Sequence, residues 1–275
     1  MVALFTVDKN KCKGDGACVA ECPLGIIKMD AQEHIPVPAI GVQDSCINCG
    51  HCVAVCPHGA FSLSTMPAGE CPELPAGWKI PPERLERFLK GRRSIRSYKK
   101  DPVPRELLER LVDIARYAPS GINRQPAEWI IIHEHEKVKD ITREVIAWMK
   151  SLVGSDSPLA GSLHMSNLVS AWEGGKDYIC RGAPHLTVAC ALKEDMTAPP
   201  ACTVALAYAE LAAVSFGLGA CWAGYVNMAL NMWPPARRIL GISQRRVCFG
   251  ALMAGYPGFE YYRIPARNKI RLVGK

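Results

Sequence analysis

The chain has 275 residues, with 49% hydrophobic and 21% charged side chains and a net charge of +7. This length is enough for a small module and one full domain, and the composition is typical of a soluble globular protein. Neither a signal-peptide pattern nor an uninterrupted apolar run of about 18 residues is present, because the longest apolar segment, 201–216, contains Glu210. We therefore expect a cytoplasmic protein without a membrane span.

Seven of the thirteen cysteines lie in two compact runs that each end in Cys-Pro. The first run contains Cys12, Cys18 and Cys22, and the second contains Cys46, Cys49, Cys52 and Cys56. Such spacing before a proline is typical of iron–sulfur cluster binding, whereas disulfide scaffolds are small secreted domains. A pair of zinc sites is the alternative, although zinc sites rarely show this interleaved spacing with Cys-Pro endings.

An internal repeat relates the two runs, since ACVAECPLG at 17–25 matches HCVAVCPHG at 51–59. A short apolar segment able to form a strand follows each run, at 26–27 and at 60–61. This unit resembles the bacterial two-cluster ferredoxins over about 60 residues, and the resemblance implies crossed ligation, in which the last cysteine of each run serves the other cluster. It implies one cluster on Cys46, Cys49, Cys52 and Cys22. It implies a second cluster on Cys12, Cys18 and Cys56, with Asp15 at the remaining corner.

Asp15 stands where the ferredoxin pattern has a cysteine. A carboxylate is a harder ligand than a thiolate, so Asp15 as a ligand implies a labile fourth iron or a three-iron (3Fe-4S) cluster in place of a 4Fe-4S cluster. The other interpretation is that Asp15 is a solvated loop residue.

Proline and glycine are frequent between the cysteine-rich segment and the rest of the chain, which predicts a stiff linker. We therefore expect a two-cluster domain over 1–65, a linker over 66–83 and a second domain over 84–275. In the second domain, apolar periodicity predicts helices over 83–91, from Pro104 to Ala115 and over 201–216, and β-rich apolar runs predict strands over 129–133, 183–192 and 246–254.

Two motifs accompany these elements: RRSIR at 92–96 and PSGINRQP at 119–126. An RRS-x-R segment, a helix, a PSG-x-N-x-QP loop and an apolar strand, in that order, resemble the nitroreductase family of flavoproteins from about residue 84 to the C-terminus. The resemblance implies an α+β fold, with a central, mostly antiparallel sheet flanked by helices. It also implies FMN as the cofactor, with the chemistry at the flavin N5 atom and no catalytic side chain.

The implied FMN-binding residues form several groups. The phosphate contacts are expected from Arg92, Ser94, Arg96, Arg267 and, as a helper, Lys269, with Arg93 beside the ribityl chain or ring. The basic segments 83–105 and 237–275 fit such a phosphate site, and no nucleic-acid motif accompanies them. Contacts to the ring are expected from Asn123, Gln125 and the turn formed by Ala223, Gly224 and Tyr225. In the family the PSG loop comes from the partner subunit, which implies a homodimer with Pro119, Ser120, Gly121 and Asn123 across the interface.

Two departures from the family border the substrate pocket: Ala127 follows the QP pair in place of a tryptophan, and Gly224 stands where some members have an acid. The resemblance therefore does not transfer a substrate preference.

The leading hypothesis is an FMN-dependent oxidoreductase in which two iron–sulfur clusters exchange electrons with FMN. A ferredoxin-like protein or NAD(P)H would be the donor, and a nitroaromatic, quinone or activated alkene the acceptor. The alternative is a non-enzymatic redox sensor or electron carrier.

Overall fold

The computed structural model describes residues 4–41 and 43–274. The chain divides into two compact units. The first unit takes in the chain up to Ile80 together with Ile122–Arg124, and the second takes in Pro81–Gly121 and the chain from Gln125 onward.

The first unit contains two short antiparallel strand pairs and two one-turn helices. The strands are β1 (Phe5–Val7), β2 (Ile27–Met29), β3 (Pro36–Pro38) and β4 (Phe61–Leu63), and the helices are α1 (Ala17–Glu21) and α2 (His51–Ala54). Strand β1 pairs with β4, and β2 pairs with β3. The sequence repeat is a structural repeat, because α1 and α2 each begin directly after a glycine in the left-handed conformation, Gly16 and Gly50.

A small core of apolar side chains and cysteines holds this unit together. Phe5 and Phe61, from the paired strands β1 and β4, pack with ring centroids 4.6 Å apart. Cys18 and Cys52, at matching positions of the two repeats, are buried in the same cluster. The thiols therefore occupy positions where a larger domain would have aliphatic side chains.

The second unit is a four-stranded sheet with helices on both faces. Its helices are α3 (Pro82–Gly91), α4 (Arg105–Ala115), α5 (His135–Gly154), α6 (Pro158–Ser162), α7 (Met165–Glu173), α8 (Ala198–Ser215), α9 (Gly224–Met232) and α10 (Pro234–Ile239). Its strands are β5 (Glu128–Ile132), β6 (His185–Leu192), β7 (Gly219–Trp222) and β8 (Arg246–Gly255). The order is β5-β6-β8-β7 and every pairing is antiparallel, so the expected α+β fold is confirmed.

Strand β6 is buried on both faces, which explains its continuous apolar sequence. Leu186 and Val188 point into a core formed with α5, α7, α9 and α10. Ala189 and Ala191 point into the core formed with α8 on the opposite face. The side chains of a strand alternate between its faces, so both layers need apolar residues here.

Helix α8 packs against β6, β7, β8 and α4. It is, in the part of the chain that the structure describes, the one helix long and apolar enough to cross a membrane by length and composition. Its contacts with the sheet account for that composition, because a central core helix carries apolar residues around most of its circumference. Glu210 is its only charged residue.

Two stacked histidines form hydrogen bonds with the backbone N–H and carbonyl groups of Val103. The Val103 N–H donates to Nε2 of His185 (2.8 Å), so the Nδ1–H of His185 donates to the carbonyl oxygen of His133 (2.8 Å). The His133 ring in turn donates from Nε2 to the Val103 carbonyl oxygen at 2.8 Å, and the rings stack with centroids 4.7 Å apart. Burial of this network lowers the pKa of His185 to about 4. Both histidines therefore have a structural role.

The pH dependence of unfolding tests this network. An unfolded histidine has a pKa of about 6.5, so between about pH 6.5 and pH 4 the unfolded chain binds a proton that folded His185 does not bind. This contribution to the free energy of unfolding is fully present above pH 6.5. It decreases as the pH is lowered, by up to about 3 kcal/mol near pH 4. We expect His185→Gln to be less stable at pH 7 and to show a flatter profile in urea unfolding. Parallel profiles for the two proteins would contradict the assignment.

Candidate functional site

Two cavities in the first unit are lined by cysteines from both repeats. Cys22 of the first run faces one cavity together with Cys46, Cys49 and Cys52 of the second run. Cys12, Asp15 and Cys18 of the first run face the other cavity together with Cys56. The fold therefore brings together the two groups of four that the crossed arrangement requires.

Burial raises the pKa of two of these thiols, one at each cavity. The pKa of Cys52 is raised to about 11, and that of Cys18 is raised as well, in both cases chiefly by loss of solvent. Without a bound group the two thiols are therefore neutral at pH 7. A metal or cluster binds thiolates, so binding here must displace protons.

The arrangement of the cysteines differs from that of a zinc site. In a tetrahedral zinc site, Zn–S bonds of about 2.3 Å hold the sulfur atoms about 3.8 Å apart. Among residues 4–41 and 43–274, no three Cys, His, Asp or Glu side chains are grouped closely enough to hold a single metal ion. A multinuclear cluster separates its ligands further, which fits the cavity-lining arrangement.

Asp15 lies at the rim of the second cavity. Its Oδ1 accepts a hydrogen bond from the Ala17 N–H (3.0 Å), which helps to start α1. Its Oδ2 is 3.8 Å from Nε2 of His58, and the carboxylate is 42% exposed. The side chain thus has local partners on the protein as well as access to the cavity.

The RRSIR segment is fixed along strand β7. The Ile95 N–H donates to the Ala220 carbonyl oxygen (3.0 Å), and the Tyr98 hydroxyl donates to the Ile95 carbonyl oxygen (2.6 Å). A side chain at Gly219 would be impossible here, because a Cβ atom would lie 2.4 Å from Cγ1 of Ile95. The buried Ile95 therefore anchors the segment, and its polar neighbours are held near the end of the sheet.

The arginines of this segment have different environments. Nη1 of Arg92 donates to Oε1 of Glu210 at 2.9 Å, and the two side chains are 23% and 9% exposed. Oε2 of the same glutamate accepts the indole N–H of Trp222 at 3.2 Å. Arg93 instead donates to backbone carbonyl oxygens, those of Arg92 (2.6 Å) and Lys90 (2.8 Å).

A cavity of about 240 Å³ brings several of the expected residues together. Its wall combines cationic, aromatic and small residues, among them Arg96, Arg181, Trp222, Gly224 and Tyr225. Among the residues that the structure describes, no acidic side chain lines it. Ala223 lies behind this wall, buried, with its N–H donating to the Ala251 carbonyl oxygen at 2.8 Å. Planar anionic ligands suit such a cavity.

Arg181 is held at this cavity by a tight turn. Its φ is +58°, an unusual conformation for a residue with a side chain. The carboxylate of Asp177 stabilises the turn by accepting the N–H groups of Ile179, Cys180 and Gly182, each at 2.9 Å. Strained backbone of this kind is found preferentially at functional sites.

The PSG loop does not line the same cavity. Ser120 and Gln125 face a different cavity of the second unit, of about 430 Å³, and the Gln125 N–H donates to Oγ of Ser120 at 2.9 Å. Pro119 and Gly121 are exposed beside them. Asn123 belongs to the first unit, where its Nδ2 donates to the carbonyl oxygens of Ile47 (3.3 Å) and Asn48 (2.8 Å), within the second cysteine run.

The C-terminal basic residues lie apart from the cavities. Arg267 and Lys269 are exposed on a segment without regular secondary structure that follows β8. Large apolar side chains on the same segment are also exposed, with Tyr262 83% and Leu272 80% accessible. One chain by itself therefore leaves this segment without a packing surface.

Sequence reasoning did not identify Glu210 or Arg181 as site residues. The signal for Glu210 was available, because a single acid in an otherwise apolar helix must find a buried partner. No local pattern marks Arg181, since its position depends on how Asp177 folds the preceding turn.

Comparison with known proteins agrees with this architecture. The model of the nitroreductase family matches residues 89–256, and that of a 4Fe-4S dicluster domain matches residues 6–60. A protein of Methanothermobacter thermautotrophicus whose name includes NAD(P)H nitroreductase is 28% identical over 169 residues, which cover 62% of this chain and 75% of that protein.

Solved structures show the same fold. A nitroreductase from Bacteroides fragilis with bound FMN aligns with a TM-score of 0.58 and 22% identity, over 70% of this chain and 100% of that one. A nitroreductase from Desulfitobacterium hafniense with bound FMN aligns with a TM-score of 0.56 and 23% identity, over 71% and 100%. Because the nitroreductase match spans more than half of the sequence, this chain belongs to the nitroreductase family, with a 4Fe-4S dicluster domain preceding the family's fold.

Proposed function

We propose that this protein is an FMN-dependent oxidoreductase in which two iron–sulfur clusters exchange electrons with FMN for the reduction of a small acceptor. When bound, the clusters supply single-electron transfer and FMN supplies two-electron reduction of a nitroaromatic, quinone or activated alkene. The observation that carries the proposal is the presence, in one nitroreductase-family chain, of two four-ligand cavities and a cationic, aromatic cavity.

The residues of the first unit suit two clusters. Cys46, Cys49, Cys52 and Cys22 would hold one cluster, and Cys12, Cys18 and Cys56 the other. The proposed fourth ligand of the second cluster is Asp15, whose carboxylate reaches the rim of that cavity. A carboxylate binds iron less covalently than a thiolate, so we propose that this cluster is the one able to lose an iron and become a 3Fe-4S cluster.

Iron content tests the crossed ligation. Cys22→Ser is expected to lose about half of the bound iron, because serine is a poor substitute for a thiolate ligand. The double variant Cys22→Ser/Cys49→Ser is expected to lose no more, since both cysteines would serve one cluster, whereas Cys18→Ser/Cys22→Ser would lose nearly all. Iron analysis and electron paramagnetic resonance of the reduced protein measure these losses.

Cys71→Ser is the matched control. Cys71 follows the dicluster segment, lines neither cavity, and its thiol donates to the Pro67 carbonyl oxygen at 3.4 Å. It is expected to keep all of the iron. Crossed ligation would be wrong if Cys22→Ser and Cys18→Ser together removed no more iron than either change alone.

The residues of the second unit suit FMN. Arginine and serine donors at 92–96 match a phosphate, which requires several charged or polar N–H and O–H donors. Gly224, the first residue of α9, lines the cationic cavity, and a Cβ atom there would meet no atom within 4 Å, so the start of the helix leaves open space for a flat ring. Arg93 would contact the ribityl chain, and Ala223, Gly224 and Tyr225 would lie against the ring. The turn expected at these three residues is instead the start of α9, with Ala223 directly before the helix.

A homodimer would complete the flavin site. Support comes from the division of the expected residues, since Ser120 and Gln125 line a different cavity from Arg96, Gly224 and Tyr225. The exposed C-terminal segment gives further support, because its apolar side chains and its Arg267 and Lys269 would gain partners on a second copy. We also expect a cytoplasmic protein without nucleic-acid partners.

Complementation between subunits tests the shared site. Arg96→Glu and Ser120→Glu each place a negative charge where the phosphate or ribityl chain would bind, so each homodimer is expected to lose FMN. In a heterodimer of the two variants, one of the two sites contains the native residue at both positions. A doubly tagged, purified heterodimer is therefore expected to recover about half of the wild-type FMN content. A heterodimer that binds no FMN would show that both residues act within one subunit or that the loop does not contact the flavin.

An anaerobic reduction experiment tests the function itself. The protein is titrated with a low-potential reductant while absorbance follows flavin and clusters, and we expect the flavin to be reduced together with the clusters. Flavin that stays oxidised beside reduced clusters would exclude the internal transfer.

Stopped-flow mixing with NADH, NADPH or a reduced ferredoxin identifies the donor. An acceptor panel with turnover no faster than that of free FMN would instead favour a redox sensor or electron carrier.

A further inference from the structure

Glu210 is a charged residue inside an apolar layer. It lies on α8, is buried, and is surrounded on that helix by alanine, leucine and other uncharged residues. Burial of an unpaired carboxylate is strongly unfavourable, so a buried glutamate is retained with partners that satisfy its charge and both oxygen atoms. The identity of these partners indicates what the residue does.

Both carboxylate oxygens have partners close to the expected flavin site. Oε1 accepts Nη1 of Arg92 at 2.9 Å, and Oε2 accepts Nε1 of Trp222 at 3.2 Å. Trp222 lines the cationic cavity, and Arg92 begins the RRSIR segment. One buried side chain thus connects the two parts of the chain that the proposed flavin site uses.

The backbone around Arg92 limits its movement. Arg92 directly follows α3 and caps it, with its N–H donating to the Phe88 carbonyl oxygen at 3.2 Å, and three residues later Ile95 is anchored to β7. A long arginine side chain would still sample many rotamers from this backbone. The contact with Glu210 restricts it, and uses one of the five N–H donors of the guanidinium while leaving others for a ligand.

We propose that Glu210 is a positioning residue that holds Arg92 in the orientation in which its remaining N–H groups bind the FMN phosphate. This inference rests on the proposed flavin site. Pre-ordering an arginine lowers the entropy lost on binding, and its planar fork benefits most from a fixed orientation.

The same carboxylate also has an opposing effect. Its negative charge reduces the attraction of Arg92 for a phosphate dianion, so removal of the charge would tighten binding if charge were the dominant effect. Orientation and charge therefore predict opposite signs for Glu210→Gln, which retains the shape of the side chain.

The experiment compares FMN with riboflavin, which lacks only the phosphate. Full-length protein depleted of flavin is titrated with each compound, and quenching of flavin fluorescence gives the Kd. We expect Glu210→Gln to weaken FMN binding by about tenfold, the range for a hydrogen bond to a charged group, and riboflavin binding by less than about twofold. In an Arg92→Met background, the same change is expected to leave the ratio of the two affinities unaltered.

Glu144→Gln is a matched control, because Oε2 of Glu144 accepts the Trp233 indole N–H at 2.8 Å and, within residues 4–41 and 43–274, its carboxylate forms no ion pair with an arginine. It is expected to leave both affinities unchanged. Glu210→Asp retains the charge on a shorter side chain, and we expect intermediate weakening for FMN alone. This variant provides the same comparison if Glu210→Gln does not fold, which circular dichroism would show.

The results distinguish failure of the positioning role of Glu210 from failure of the proposed flavin site. Equal weakening of FMN and riboflavin, or tighter FMN binding by Glu210→Gln, would overturn the positioning role. Failure of the wild-type protein to bind FMN would instead overturn the proposed function.

Discussion

The ion pair between Glu210, which is buried in α8, and Arg92 organises one side of the second unit. Helix α8 lies across the sheet, and its apolar surface matches strands buried on both faces. A single glutamate in this layer requires a cation and a second donor, and Arg92 and Trp222 supply them. The core helix, the basic segment and the end of β7 are consequently held in one arrangement, and the cationic cavity lies at that end of the strand.

The first unit has a different basis for stability. Its strands are three residues long, and its core contains two buried cysteines beside a few large apolar side chains. Domains of this size bury little surface and commonly depend on bound metals for stability. Two cavities of this unit are lined by cysteines, so loading of the clusters and folding are expected to be coupled in this unit.

The residues expected to contact FMN do not form one continuous surface in a single chain. Arg96 and Gly224 share a cavity, Ser120 and Gln125 share another, and Arg267 lies on an exposed segment. In the proposed homodimer, each copy would supply part of two equivalent sites. Assembly of the dimer and formation of the flavin site would then be the same event.

Much of the architecture was determined by sequence alone. The Cys-Pro runs indicated cluster binding, and apolar periodicity gave α3, α4, α8, β5, β6 and β8 to within a few residues, because long elements carry strong patterns. The sequence did not predict strands β1, β3 and β7, because three or four residues are too few to show a periodic pattern. It also did not predict helices α5 to α7, α9 and α10, which contain no recognised motif. Only the tertiary structure brought Glu210 to Arg92 and Arg181 to the cationic cavity. These contacts join residues far apart in the chain, and their geometry follows from the packing of whole elements, which no local pattern of residues records.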